Sequence, residues 1–210
     1  MADWTTISSL ATAGGTLVLA AATFAAVRSA NRSARATERA LLAGIRPVLV
    51  PSRMEDPPQK VGFRDQHWVH IPGGRAVAEV TDEAIYFAIA LRNVGSGLGV
   101  LDRWDFYPER QVGDASTREP SEFHRLTRDI YVAANDMGFW QGTFREPADP
   151  VFASAREAIT ERRMMTIDLL YGDHEGGQRT ISRFALIPAD DDQWLAVVSR
   201  HWNLDRANPR

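Results

Sequence analysis

The sequence predicts a mainly β protein, a β-sandwich of antiparallel strands with one or two short helices, preceded by a long N-terminal transmembrane and stalk helix. Three observations predict it. Ile7–Val27 is a run of 21 residues without a charge. Beyond residue 45, short β-branched and aromatic runs with period-2 alternation are broken at short intervals by Gly, Pro and Asn, the pattern of sheets packed face to face. Of the 210 residues, 44% are apolar and 24% charged, which excludes a disordered or collagen-like chain and is enough for one well-buried core. The expected organisation is an anchor and basic stalk over 1–45 and a β-sandwich domain over 46–210.

The apolar run is long enough, at about 1.5 Å per residue, to cross the hydrocarbon core of a bilayer. A signal peptide would carry positive charge before the run, whereas only Asp3 precedes it here. After it come Arg28, Arg32, Arg35 and Arg39 against the single acid Glu38. Basic residues stay on the cytoplasmic side, so the expected topology is single-pass in the cell inner membrane, N-terminus outside and the β domain cytoplasmic. Trp4 is the expected outer interfacial anchor. Gly44 and Pro47 end the helix. The four arginines fall within about 60° of one helix face. They mark either the stop-transfer charge or a stripe that meets anionic lipid headgroups or an acidic partner. Ala11, Gly15, Ala22 and Ala26 form a small-residue stripe through which two such helices can associate.

In the β domain, Arg46–Pro51 reads as an edge strand and Ser52–Gln66 as a loop. His67–Ile71 and Arg75–Val80 flank Pro72-Gly73-Gly74 and read as a hairpin. Ala84–Asn93 alternates Ile85, Phe87, Ile89 and Leu91 with smaller side chains, and Gly99–Tyr107 continues with Trp104 and Phe106. A hairpin turn is expected between these two at Gly95, Gly97 and Gly99, because no helix follows to make a phosphate-binding loop of them. Ser121–Thr127 reads as a short helix carrying His124. Asp129–Ala133 and Met137–Arg145 flank Asn135-Asp136. Asp149–Arg162 is the second helix, with Asp149 as N-cap and Pro150 in the first turn. Met164–Tyr171 and Gln178–Ile187 flank a glycine turn, Asp190-Asp191-Asp192 is a solvated turn, and Gln193–Trp202 is the last strand before a frayed tail.

The anchored, β-rich layout, with Asn93-Val94-Gly95-Ser96-Gly97 ending a core strand, resembles bacterial single-pass membrane proteins with an immunoglobulin-like domain. The resemblance covers the layout and that one turn. Many of those proteins are uncharacterised, so it implies a fold and a location and no activity. The ratio of 23 arginines to one lysine fits a GC-rich bacterial genome.

Composition narrows the chemistry. There is no cysteine, so disulfides, zinc–thiolate sites and a cysteine nucleophile are excluded. Residues 46–210 carry 20 basic against 25 acidic side chains, so nucleic acid is not an expected partner. No Walker loop and no G-x-S-x-G elbow is present. His67 and His70, three apart on a strand, point to opposite faces and do not share a metal. One stretch invites a site: Asp168, Asp173, His174 and Glu175 put three carboxylates and an imidazole within eight residues, the donor types of a hard-metal or hydrolytic centre. Against it, Gly176-Gly177 must reverse the chain there, Asp173 and Glu175 are expected to stay solvated at the tip, and Arg179 and Arg183 on the return strand can pair with the acids. The preferred reading is a hairpin without metal, and no catalytic residue or cofactor is expected. The function expected is a membrane-anchored, non-catalytic interaction or regulatory module whose partners are membrane lipid and another protein. The alternatives are an accessory subunit binding through its transmembrane helix and a tethered hydrolase using the Asp/Glu/His cluster.

Overall fold

The computed structural model describes residues 3–113, 118–190 and 192–206, the side chains of residues 4–7 and 11 excepted. The chain separates into two units, 1–44 and 45–210. The first is one helix, α1 (Trp4–Gly44), 41 residues long. Its apolar side chains, Leu10, Leu17, Leu19 and Phe24 among them, are exposed. Thr12, Thr16 and Thr23 donate their hydroxyls to the carbonyls of Ser8, Thr12 and Leu19, so these polar groups of the apolar run are satisfied within the helix. Trp4 and Ala11 belong to α1, but their side chains lie outside the described residues.

The second unit is a β-sandwich with eleven strands and one helix among the described residues. In chain order these are β1 (Leu49–Pro51), β2 (Gln59–Gly62), β3 (Trp68–Ile71), β4 (Arg75–Val80), β5 (Ile85–Asn93), β6 (Gly99–Tyr107), β7 (His124–Val132), β8 (Met137–Phe144), α2 (Pro150–Thr160), β9 (Met165–Gly172), β10 (Arg179–Pro188) and β11 (Trp194–Asn203). One layer centres on β5, which pairs with β8 on one side and with β4 and β1 on the other. The other layer runs β7-β6-β9-β10-β11. Among the described residues the layers are continuous where Trp194 and Leu195 of β11 meet Ala76 and Arg75 of β4. Between them lies the main core, rich in aromatics: Phe87, Trp104, Phe106, Trp140 and Phe144 pack ring against ring. Helix α2 begins as expected, with Asp149 accepting from the Val151 amide and Pro150 in the first turn, and buries Phe152, Ala155 and Ala158 in that core.

Four local expectations are corrected. First, 59–62 is a strand rather than loop, and it takes β3 as its antiparallel partner, so β3 and β4 are not a hairpin. The apolar residues Val61, Phe63, Val69 and Ile71 drive this by covering Ala84, Tyr86, Ala88 and Ala90 on the outer side of β5. Second, the turn at Gly95–Gly99 crosses between layers instead of closing a hairpin. Here Arg46–Val48 lies so close that a Cβ on Gly95 would sit 2.3 Å from the Arg46 carbonyl, and one on Gly97 1.7 Å from that of Ile45. Buried Asn93 fastens the crossing: its Oδ1 accepts from the Val48 and Gly95 amides, and its Nδ2 donates to the Gly97 and Val132 carbonyls. Third, 124–127 belongs to β7, not to a helix, because His124 and Leu126 face the aromatic core, His124 against Trp104. Fourth, the chain after β11 is docked as far as Asp205, which pairs with Arg46 and accepts from the Arg179 amide. Asp191 and residues 207–210 lie outside the described residues.

Candidate functional site

The outer side of the second layer carries an arrangement that no single segment reveals. Four strands place charged residues in register: Asp105 on β6 opposes Asp168 on β9, Asp168 opposes Arg183 on β10, and Arg183 opposes Arg200 on β11. Alternation dictates the face, since Trp104, Phe106, Ile167, Leu169 and Phe184, the neighbours along each strand, point into the core. Asp105, Asp168 and Arg183 are buried at 0%, 0% and 3% exposure. Charges at that depth persist only when paired.

The pairing is specific. Arg183 donates Nε and Nη2 to the two carboxylate oxygens of Asp168, 2.8 Å each, the bidentate fork that favours arginine over lysine. Its guanidinium also lies over the rings of Trp202 at 4.7 Å and Tyr107 at 5.8 Å. Asp105 accepts Arg118 Nη1 at 2.7 Å and the Phe106 amide at 3.0 Å through Oδ1, while its Oδ2 has no hydrogen-bond partner among the described residues. Arg118 comes from the β6–β7 connection, whose described parts, 108–113 and 118–123, lie over this face as a strap. The strap is held where Thr166 Oγ1 donates to the Glu109 carbonyl and accepts from the Gln111 amide, both at 3.0 Å, and where Phe123 packs with Leu170, Ile181 and Trp202.

Beside the basic end of the row, strap and sheet leave a cavity of about 360 Å³. Arg110, Arg183 and Arg200 line it together with apolar Met164, Ala185, Ile187 and Val197, and no acid is among its described lining residues.

Of the candidate site residues Asp168, Asp173, His174 and Glu175, only Asp168 belongs to this face, paired with Arg183 of the return strand. Asp173, His174 and Glu175 sit in the β9–β10 turn, where Gly176 adopts φ +74° as the reversal requires. Asp173 is buried rather than solvated, because its Oδ1 accepts the Gln178 amide across the turn at 3.2 Å. His174 and Glu175 are exposed, 3.9 Å apart. Among the described residues no group of three or more His, Cys, Asp or Glu is placed to hold a metal. Arg28, Arg32 and Arg35 line one side of α1 with Phe24 and Val27, and Arg39 lies one turn further on.

A second polar array went unnoticed in sequence. Leu49 N donates to the Tyr171 hydroxyl at 3.2 Å, which lies 2.8 Å from Ser182 Oγ, itself 2.6 Å from His201 Nδ1. Burial pushes the His201 imidazole below its ordinary value and the Tyr171 phenol above its own, so both rings are neutral at pH 7. Ser182 is fully buried, so this serine–histidine pair offers no nucleophile to a substrate. With Arg46, which bonds Thr180 and Asn203, it closes the seam between β1 and β10–β11.

Compared with protein-family models, curated proteins and solved structures, the chain matches none. The signal that finds the charged row in sequence is a lone charge inside each of two otherwise apolar strands, MTIDLLYG and ISRFALIP; Asp105 is masked by Asp102 and Arg103 in VLDRWDFY.

Proposed function

We propose that this chain is a single-pass, membrane-tethered binding module, in which α1 spans the inner membrane of a bacterial cell and holds the β-sandwich at the cytoplasmic surface. The sandwich binds a partner without turning it over, through the strap-covered face of the second layer. The observation that carries the tether is the 21-residue uncharged run inside a 41-residue helix on which Leu10, Leu17, Val18, Leu19, Phe24 and Val27 are exposed, followed at once by four arginines. Hydroxyls bonded back to the helix's own carbonyls add support, because a bilayer core supplies no water to them. For a binding rather than catalytic role, the supporting points are that Asp168 is tied to Arg183 and Ser182 is closed to solvent. The immunoglobulin-like character is part of the same proposal, supported by the Asn93-to-Gly97 crossing between the layers. Cysteines introduced singly at Thr5 and at exposed Glu55 test the topology with a membrane-impermeant thiol reagent in intact cells. Labelling at Thr5 alone is expected, and labelling at Glu55 alone overturns the arrangement.

A further inference from the structure

The cavity at the basic end of the charged row is not explained by the tether or by stability. Its wall is half apolar, with Ala185 and Val197 side by side in register, and its charged lining among the described residues is arginine alone. Arg183 is the informative member. It is 3% exposed, its fork to Asp168 uses Nε and Nη2, and Nη1 has no hydrogen bond among the described residues although the side chain lines the cavity. Asp168 and the rings of Tyr107 and Trp202 fix the guanidinium plane, so this remaining donor is preorganised. A volume of about 360 Å³ lies within the range of small-molecule sites, in which apolar walls supply burial and a few polar groups set orientation.

We propose that this cavity is a binding site for an apolar carboxylate: a carboxylate head directed to Arg183 and Arg200, with a short hydrocarbon or aromatic body against Met164, Ala185, Ile187 and Val197. Two sources carry that chemistry, a free organic acid and the C-terminus of a polypeptide ending in an apolar residue. The inference rests on the reading of the chain as a binding module, but not on its tether, whose test by cysteine labelling is independent.

Calorimetric titration of the full chain in lipid nanodiscs at pH 7, with empty discs as reference, tests it. The probes are 4-phenylbutyrate and its neutral amide, and the peptide acetyl-Gly-Leu-Phe with a free or an amidated C-terminus. At least one acid binds stoichiometrically, and its amide about tenfold or more weaker, because the arginines then face no charge. The tighter acid identifies the source. Val197→Asp, at a position 37% exposed and so tolerant, weakens the acid about tenfold or more, Val197→Lys does not, and Ala185→Phe abolishes binding by filling the space. Circular dichroism checks that each variant remains folded. Binding of neither acid, equal binding of acid and amide, or acid binding indifferent to both Val197→Asp and Ala185→Phe overturns the proposal.

Discussion

The two outer faces of the sandwich are finished in opposite ways. On the first layer, the β2–β3 hairpin lays Val61, Phe63, Val69 and Ile71 on Tyr86 and three alanines, and the polar contacts are confined to the margin, where Arg145 meets Asp65 and His67 meets Glu79. On the second, a strap lies over a row formed by buried Asp105, Asp168 and Arg183 and half-buried Arg200, and leaves a cavity beside it. The first face shows how this chain seals a sheet when cover is all that is needed: small residues below, apolar residues above. Buried ion pairs do not generally stabilise a protein more than well-packed apolar residues would, so the second face is costly if its only task is cover. The difference points to recognition on the second face and to stability on the first.

The comparison can be broken by substitution. The largest effect is expected for Arg183→Met, which strands the Asp168 carboxylate without its fork and costs about 3–5 kcal/mol of unfolding free energy in denaturant titrations. Adding Asp168→Leu should recover most of that loss, since the uncompensated charge goes with it. If the double variant is as unstable as the single one, the pair is structural in a way this account lacks. On the sealed face, Ile71→Ala should cost about 2–4 kcal/mol as a cavity-forming change and leave carboxylate binding unaltered.

How much of this was legible in the sequence differs between the two faces as well. The long apolar N-terminal helix, the α2 cap at Asp149 and the strong alternation of 85–91 follow from local rules, and the structure has them where those rules put them. The β2 strand was hidden because QKVG is short, follows two prolines and acquires its partner only through β3. The apparent Gly95–Gly99 hairpin failed for a long-range reason, the passage of Arg46–Val48 beneath the glycines. The charged row was hidden for the same reason: Asp105, Asp168, Arg183 and Arg200 span 96 positions of sequence, and only strand order brings them side by side. The stretch around Asp173 looked richer in chemistry because its acids are neighbours in sequence, yet Asp168 and Glu175 serve different surroundings.

A smaller, pH-dependent effect belongs to the margin of the sealed face. Arg145 beside Asp65, aided by the Tyr86 hydroxyl, holds the Asp65 carboxyl well below its ordinary value of 3.8. A carboxyl with a depressed folded-state value contributes stability that is fully present above about 3.8 and is lost as the pH falls through the folded value. Asp65→Asn should therefore lower the unfolding midpoint at pH 6, and the gap from the wild type should narrow by pH 3. A gap that stays constant with pH would mean that the ion pair does not tie the hairpin down.

The claim that the two faces divide stability from recognition is tested most directly by hydrogen exchange on the full chain in nanodiscs, with and without saturating carboxylate ligand. Amides of the described strap residues 109–113 and of 183–187 and 197–200 should gain protection, while those of the hairpin, 59–71, should exchange at the same rate in both states. Protection gained on the hairpin instead, or equally on both faces, would contradict the assignment.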